Sequence, residues 1–153
     1  MIEGTAVGVA LRDSLWLYPA VQTFHLLGIA LLFGSIAVVD LRLLGVSRTL
    51  PLRGLERHVL PWTGVGMGLA ALSGALLFTA QATEYLAKPI FVIKLALIAA
   101  AGCNAVAFHL LCEDMGSRPR QDPRHHRRAR MAGALSLILW IGVITCGRLL
   151  AYL

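Results

Sequence analysis

The chain of 153 residues is short of charge, and shorter still of acid. Charged residues make up 14% of it, against about 25% in an ordinary soluble domain, which excludes a solvated surface over most of its length. Eight residues are Asp or Glu, and none falls inside the long apolar runs. The three cysteines, Cys103, Cys112 and Cys146, have neither the spacing of a metal site nor that of a disulfide framework. They read as small apolar filler. No internal repeat and no second domain is visible. The first apolar run lacks a basic start and a small-residue cleavage site, so no secretory signal is expected.

What the chain does have is four apolar runs: Leu15–Val39, Val59–Ala80, Ile90–Cys112 and Met131–Ala151. A bilayer core about 30 Å thick needs roughly 20 helical residues. In lipid only helices and closed barrels satisfy the backbone. The sequence therefore predicts an all-α membrane protein, one domain over 1–153. Its expected architecture is an antiparallel four-transmembrane-helix bundle, with spans near 15–39, 59–80, 90–112 and 131–151 and sequential helices as neighbours. Residues 5–14, TAVGVALRDS, are apolar on one side and predict a short N-terminal interfacial segment. Pro19, Pro61 and Pro89 fall near expected helix starts, where a missing N–H costs little. Trp16, Tyr18, Trp62, Tyr85 and Tyr152 fall near expected interfaces.

The net charge of +6 is explained by its placement. Arg42, Arg48, Arg53 and Arg57 lie between the first two runs. Arg118, Arg120, Arg124, Arg127, Arg128 and Arg130 lie between the last two. The other side has Arg12 and Lys88. Short loops rich in Lys and Arg stay in the cytoplasm. The expectation is a multi-pass protein of the bacterial inner membrane, with both termini and the 81–89 connection on the periplasmic side. Its partner is the lipid bilayer, not a nucleic acid. The stretch SRPRQDPRHHRRAR, 117–130, reads as a solvated cytoplasmic loop, and His125 and His126 in it need no metal.

Ionisable groups inside a span are expensive and mark functional candidates. His25 lies fifteen residues before Asp40, which marks the expected cytoplasmic end of the first span. That is about 22 Å at 1.5 Å per residue, well inside the outer half of the bilayer. Gln22 and Tyr18 precede it by three and seven residues and are expected to point inward with it. Lys94 and Arg148 fall at similar depth on the third and fourth spans. Three groups of basic type without a carboxylate invite an anionic guest. Heme b suits them, with His25 as axial ligand through a neutral imidazole nitrogen and Lys94 and Arg148 for the propionates. Gly74, at the depth of His25, would leave room for the porphyrin face. His58 and His109, both toward the cytoplasmic side, form a second candidate pair for heme or metal, weighed against partly hydrated histidines at headgroup level. Asn104 is expected to make an interhelical hydrogen bond, and Gly64 with Gly68 a small-xxx-small packing pair.

The run SLWLYPAVQTFHLLGIALLFGSIAVVDLRLLG, the Arg57–His58 stretch and YLAKPIFVIKLALIAAAGCNAVAFH resemble a family of small bacterial four-helix membrane proteins of uncharacterised function. The resemblance covers the chain apart from the basic loop and the last helix. More distantly, the layout resembles CopD-type copper-resistance membrane domains and HemJ-type protoporphyrinogen oxidase. The latter resemblance implies a heme-binding bundle with an essential histidine in the first helix and an essential lysine in the third, matched here by His25 and Lys94.

Four functions follow. The first is a cytochrome-like b-type heme protein in electron transfer or redox sensing, exchanging electrons with quinone or a redox partner protein. The second is a membrane enzyme that oxidises a porphyrinogen. The third is a copper-handling protein, for which Met67 and Cys103 are the mid-membrane soft ligands. The fourth is a cofactor-free scaffold in which His25 ties helices together.

Overall fold

The computed structural model describes residues 4–46, 52–113, 123–150 and 152, and the side chains of all of these except 52–53, 111–113 and 123–126. The described residues form helices and no strand. In order they are α1 (Ala6–Asp13), α2 (Leu17–Leu44), α3 (Leu52–Ala80), α4 (Ala82–Ala87), α5 (Pro89–Glu113) and α6 (Pro123–Leu150). Among them, four stretches are long and apolar enough to cross a membrane: Leu17–Leu44, Gly54–Ala80, Pro89–Leu110 and Arg127–Leu150. Their outward faces carry large apolar side chains such as Leu27, Leu72, Val92 and Ile138, all exposed. Exposed leucine and isoleucine of this extent belong against lipid rather than water. The protein is a multi-pass membrane protein.

The helix ends follow local chemistry. Thr5 caps α1 by accepting from the Gly8 amide at 3.3 Å. Ser14 Oγ accepts from the Leu17 amide at 3.2 Å and opens α2. That helix closes on Gly45, whose φ of 106° is the left-handed conformation that favours glycine. The Gly45 amide donates to the Arg42 carbonyl at 3.2 Å and the Val46 amide to the Leu41 carbonyl at 3.0 Å, a paired closure of the last turn.

Three helices are longer than their apolar runs. Helix α2 continues beyond Asp40, which therefore lies inside it and not at its end. Helix α3 starts at Leu52, so Pro61 lies within the helix and not at its start. There its ring nitrogen has no proton for the Arg57 carbonyl. Helix α6 starts at Pro123, so the expected loop over 117–130 is helical from Pro123 onward. The reason is shared: Arg, Glu and His are tolerated or good helix formers, and a helix does not stop where its apolar stripe does.

The chain gathers into two compact units, Met1–Ile36 with Glu56–Pro89 and Ala37–Leu55 with Ile90–Leu153. In the first, α2 and α3 run antiparallel, pairing Tyr18 with Gln81, His25 with Ala70 and Leu32 with Gly66. In the second, α5 and α6 also run antiparallel, pairing Lys94 with Gly147, Leu97 with Gly142 and Asn104 with Ala132.

Candidate functional site

In the first unit the site is built where α2 crosses α3. The crossing is close. A Cβ on Gly28 would lie 2.6 Å from the Ala70 nitrogen, and one on Gly66 would lie 2.6 Å from the Leu32 nitrogen. Gly66, Ala70, Ser73 and Leu77 then form the inner stripe of α3 at helical spacing. Gly64 and Gly68 do not make the expected contact. Both are exposed and face open space. The four-residue spacing was there, but two positions round the helix.

The crossing brings His25 onto α3. Its Nδ1 lies 2.9 Å from the Ala70 carbonyl oxygen and 3.1 Å from Ser73 Oγ. A carbonyl only accepts, so Nδ1 is the nitrogen that donates to Ala70. The Ser73 hydroxyl gives its own proton to the Leu69 carbonyl, so its oxygen accepts from the imidazole. A carbonyl that fixes the tautomer and ring plane of a histidine is also the usual partner of a metal-ligating imidazole. Serine and carbonyl together hold the ring in one orientation.

Gly74 has a different role from the one expected. A Cβ there would lie 3.0 Å from His25 Cε1 and 3.4 Å from Nδ1. The imidazole itself covers this glycine, so the space is not open to a porphyrin face. Gln22 is also corrected: it is exposed, whereas Tyr18, Val21 and His25 are half-buried. At about 100° per residue, the buried side centred on His25 and Gly28 turns Gln22 outward.

At the end of this helix pair, Tyr18 donates to Gln81 Oε1 at 3.2 Å, and the Tyr85 hydroxyl bonds to Tyr18. Burial pushes the Tyr85 phenol above its ordinary range, helped by that bond and by the charges of Tyr18 and Glu84. Lys88 holds Glu84 at 2.6 Å. Arg12 Nη1 donates to the Ala80 carbonyl at 3.1 Å, covering the end of α3 where carbonyls lack helical partners.

In the second unit, Lys94 is half-buried, and its ammonium lies against Gly147, 3.5 Å from where a Cβ would be. Arg148 is exposed. Its Nη2 donates to the Tyr152 hydroxyl at 3.0 Å, with the guanidinium 5.2 Å from the centre of the Tyr152 ring. Asn104 Nδ2 donates to the Ala132 carbonyl at 3.1 Å, the expected interhelical bond. Sequence reading took Asp40 only as the end of the first span, not as a site residue. It is 6% exposed, bonded by the Ser136 hydroxyl, with Oδ2 lacking a hydrogen-bond partner among the described residues. The available signal was an acid inside a helix of otherwise apolar character.

His58 and His109 are both exposed, and His109 meets the edge of Phe108 at 6.0 Å. Cys103 is exposed and Cys146 half-buried. The side chains of Cys112, His125 and His126 lie outside the described residues. No group of three or more His, Cys, Asp or Glu side chains is close enough to hold a metal ion among the described residues. Compared with protein families, curated proteins and solved structures, the chain matches none of them.

Proposed function

We propose that the chain is an integral membrane b-type heme protein, cytochrome-like, acting in electron transfer or redox sensing, with His25 as the iron ligand. The observation that carries this reading is the Nδ1–H bond of His25 to the Ala70 carbonyl at 2.9 Å. It holds the ring in place within an apolar span, as the second bond of a ligating imidazole does. His25 fits the group; Gly74 does not fit as its cradle, since the imidazole covers it. When bound, heme supplies a one-electron iron couple. The chain supplies an oriented neutral imidazole and an apolar surround that tunes the potential.

The same reading takes the four spans as one antiparallel bundle in a bacterial inner membrane. Helix α1 would lie along the outer surface, both termini would be periplasmic, and a quinone or redox protein would be the electron partner. The arginines around α2–α3 and α5–α6 support that orientation. The resemblance to HemJ-type proteins supports heme, and the soft ligands that a copper reading would use, Met67 and Cys103, are both exposed. Porphyrinogen oxidation shares the same heme and histidine.

A second reading is the cofactor-free scaffold. It is favoured by the same imidazole bonding both Ala70 and Ser73 of the neighbouring helix. One measurement separates the two. Protein purified in detergent after expression with ample heme is expected to show a Soret band that sharpens on dithionite reduction. The band is expected to be lost in His25→Ala and kept in Ser73→Ala. Wild-type protein without a Soret band leaves the scaffold standing and ends both heme readings.

A further inference from the structure

In the second unit the last turns of α2 lie against α6. The contact is close at Gly133, where a Cβ would lie 3.1 Å from the Asp40 carbonyl oxygen and 3.2 Å from Leu43 Cβ. Gly133, Ser136, Trp140 and Val143 form a buried stripe of α6 at helical spacing. Asp40 therefore enters the interior of this unit, within the span Leu17–Leu44. The Ser136 hydroxyl bonds its carboxyl, and Oδ2 is buried with no hydrogen-bond partner among the described residues. The charged and titratable groups around it lie elsewhere. On α6, Arg127, Arg128 and Arg130 are exposed. On α2, Arg42 is two residues on, about 200° round the helix, and half-buried. On α5, Asn104 at the level of Ala132 is neutral, and Cys103 and His109 are exposed. No Lys or Arg pairs with the Asp40 carboxyl among the described residues.

We propose that Asp40 is a proton-binding site within the membrane span, with the proton carried on Oδ2. A carboxylate taken out of water without a cation is far more costly than a neutral acid with one unbonded hydroxyl. Ionisable residues inside spans mark proton relays and ion pathways. Ligand number selects a proton over a metal cation. Hard cations such as calcium and magnesium take about six or more oxygens, whereas the groups at hand are one orphan carboxyl oxygen and the Ser136 hydroxyl. A proton needs a single oxygen. Binding forms one O–H bond at Oδ2 with a proton taken from water, and release breaks that bond; no other bond changes. Ser136 and the close approach at Gly133 hold the carboxyl in the α2–α6 contact.

The test uses the full chain in a detergent without ester groups, titrated from pH 8 to pH 4 and read by infrared difference spectroscopy, wild type minus Asp40→Asn. A protonated carboxyl has a C=O stretch that a carboxylate lacks. At pH 5 an ordinary aspartate is about nine-tenths ionised. The expected result is a carboxylic-acid band that has reached at least about half of its pH 4 height by pH 5, as an ordinary aspartate does not. No such band at pH 5 overturns the proposal, since Asp40 then titrates as an exposed aspartate does. Where Asp40→Asn does not fold, wild-type protein carrying carbon-13 at its aspartate carboxyls gives the same answer. A band worth about one carboxyl per chain should move to lower frequency at pH 5, and an unmoved band overturns the proposal. Replacing choline by sodium is expected to leave the band unchanged. Its loss in sodium overturns the proton as the occupant in favour of a metal cation.

Discussion

In the first unit α2 and α3 meet backbone to backbone; in the second, α5 and α6 meet through side chains. At Gly28 and Gly66 the nearest atoms to an added Cβ are backbone atoms of the other helix, at 2.6 Å. At Gly142 the nearest is Leu97 Cδ1, at 3.2 Å. Polar contacts to the backbone occur in both: His25 bonds a carbonyl and a hydroxyl of α3, and Asn104 bonds the Ala132 carbonyl of α6. A backbone contact cannot shift to admit a methyl group; the end of a leucine can. The pair that holds the histidine is thus the more closely approached one.

That contrast is open to attack by substitution. The largest effect is expected for Gly66→Val, whose Cβ would be driven into the Leu32 backbone. A loss of at least about 3 kcal/mol is expected, beyond ordinary overpacking, read as a collapse of the thermal transition or of monodisperse yield in detergent. Gly142→Val meets only the flexible tip of Leu97 and should cost about 1 kcal/mol. Equal losses in the two variants would dissolve the distinction between the units.

Asn104→Leu comes next. It removes the bond to the Ala132 carbonyl, and interhelical hydrogen bonds in membranes average about 0.6 kcal/mol. A small drop in melting temperature is expected, with no change in any absorption band tied to His25.

The smallest effect is a pH dependence at the Tyr18–Tyr85–Gln81 end of the first unit. The folded pKa of Tyr85 is raised above its unfolded value near 10. Its stabilising contribution is therefore fully present below about pH 10 and is lost as pH rises from there toward the folded value. Melting temperature measured between pH 9 and pH 11 should fall more steeply in the wild type than in Tyr85→Phe. Parallel slopes would show that Tyr85 ionises as it does when unfolded.

Much of the architecture was legible because its signal is long. Twenty apolar residues carry a span whatever surrounds them. The helix ends were less legible, because Arg42 and Glu56 sit in helical turns beyond the apolar stripe and composition does not mark where those turns stop. In the site, His25 was legible as a costly residue in lipid, and Asn104 as an interhelical donor. Gly64 with Gly68 and Gln22 were assigned to faces they do not occupy, and Gly74 faces the His25 ring itself. The segment GVGMGLAALSG contains the four-residue spacing in two registers, Gly64–Gly68 and Gly66–Ala70, and nothing local chooses between them.

The sequence by itself determined that this is a chain of membrane-spanning helices, with an imidazole, an ammonium and a guanidinium placed in them. Each of those statements depends on the identity and count of residues along one helix. Only the tertiary structure decided that Gly66 and not Gly64 faces α2. It also decided that the proton of His25 lies on Nδ1 and that the imidazole covers Gly74. Those depend on the rotation of one helix against another. That rotation is set by which small residues let two backbones approach within contact distance.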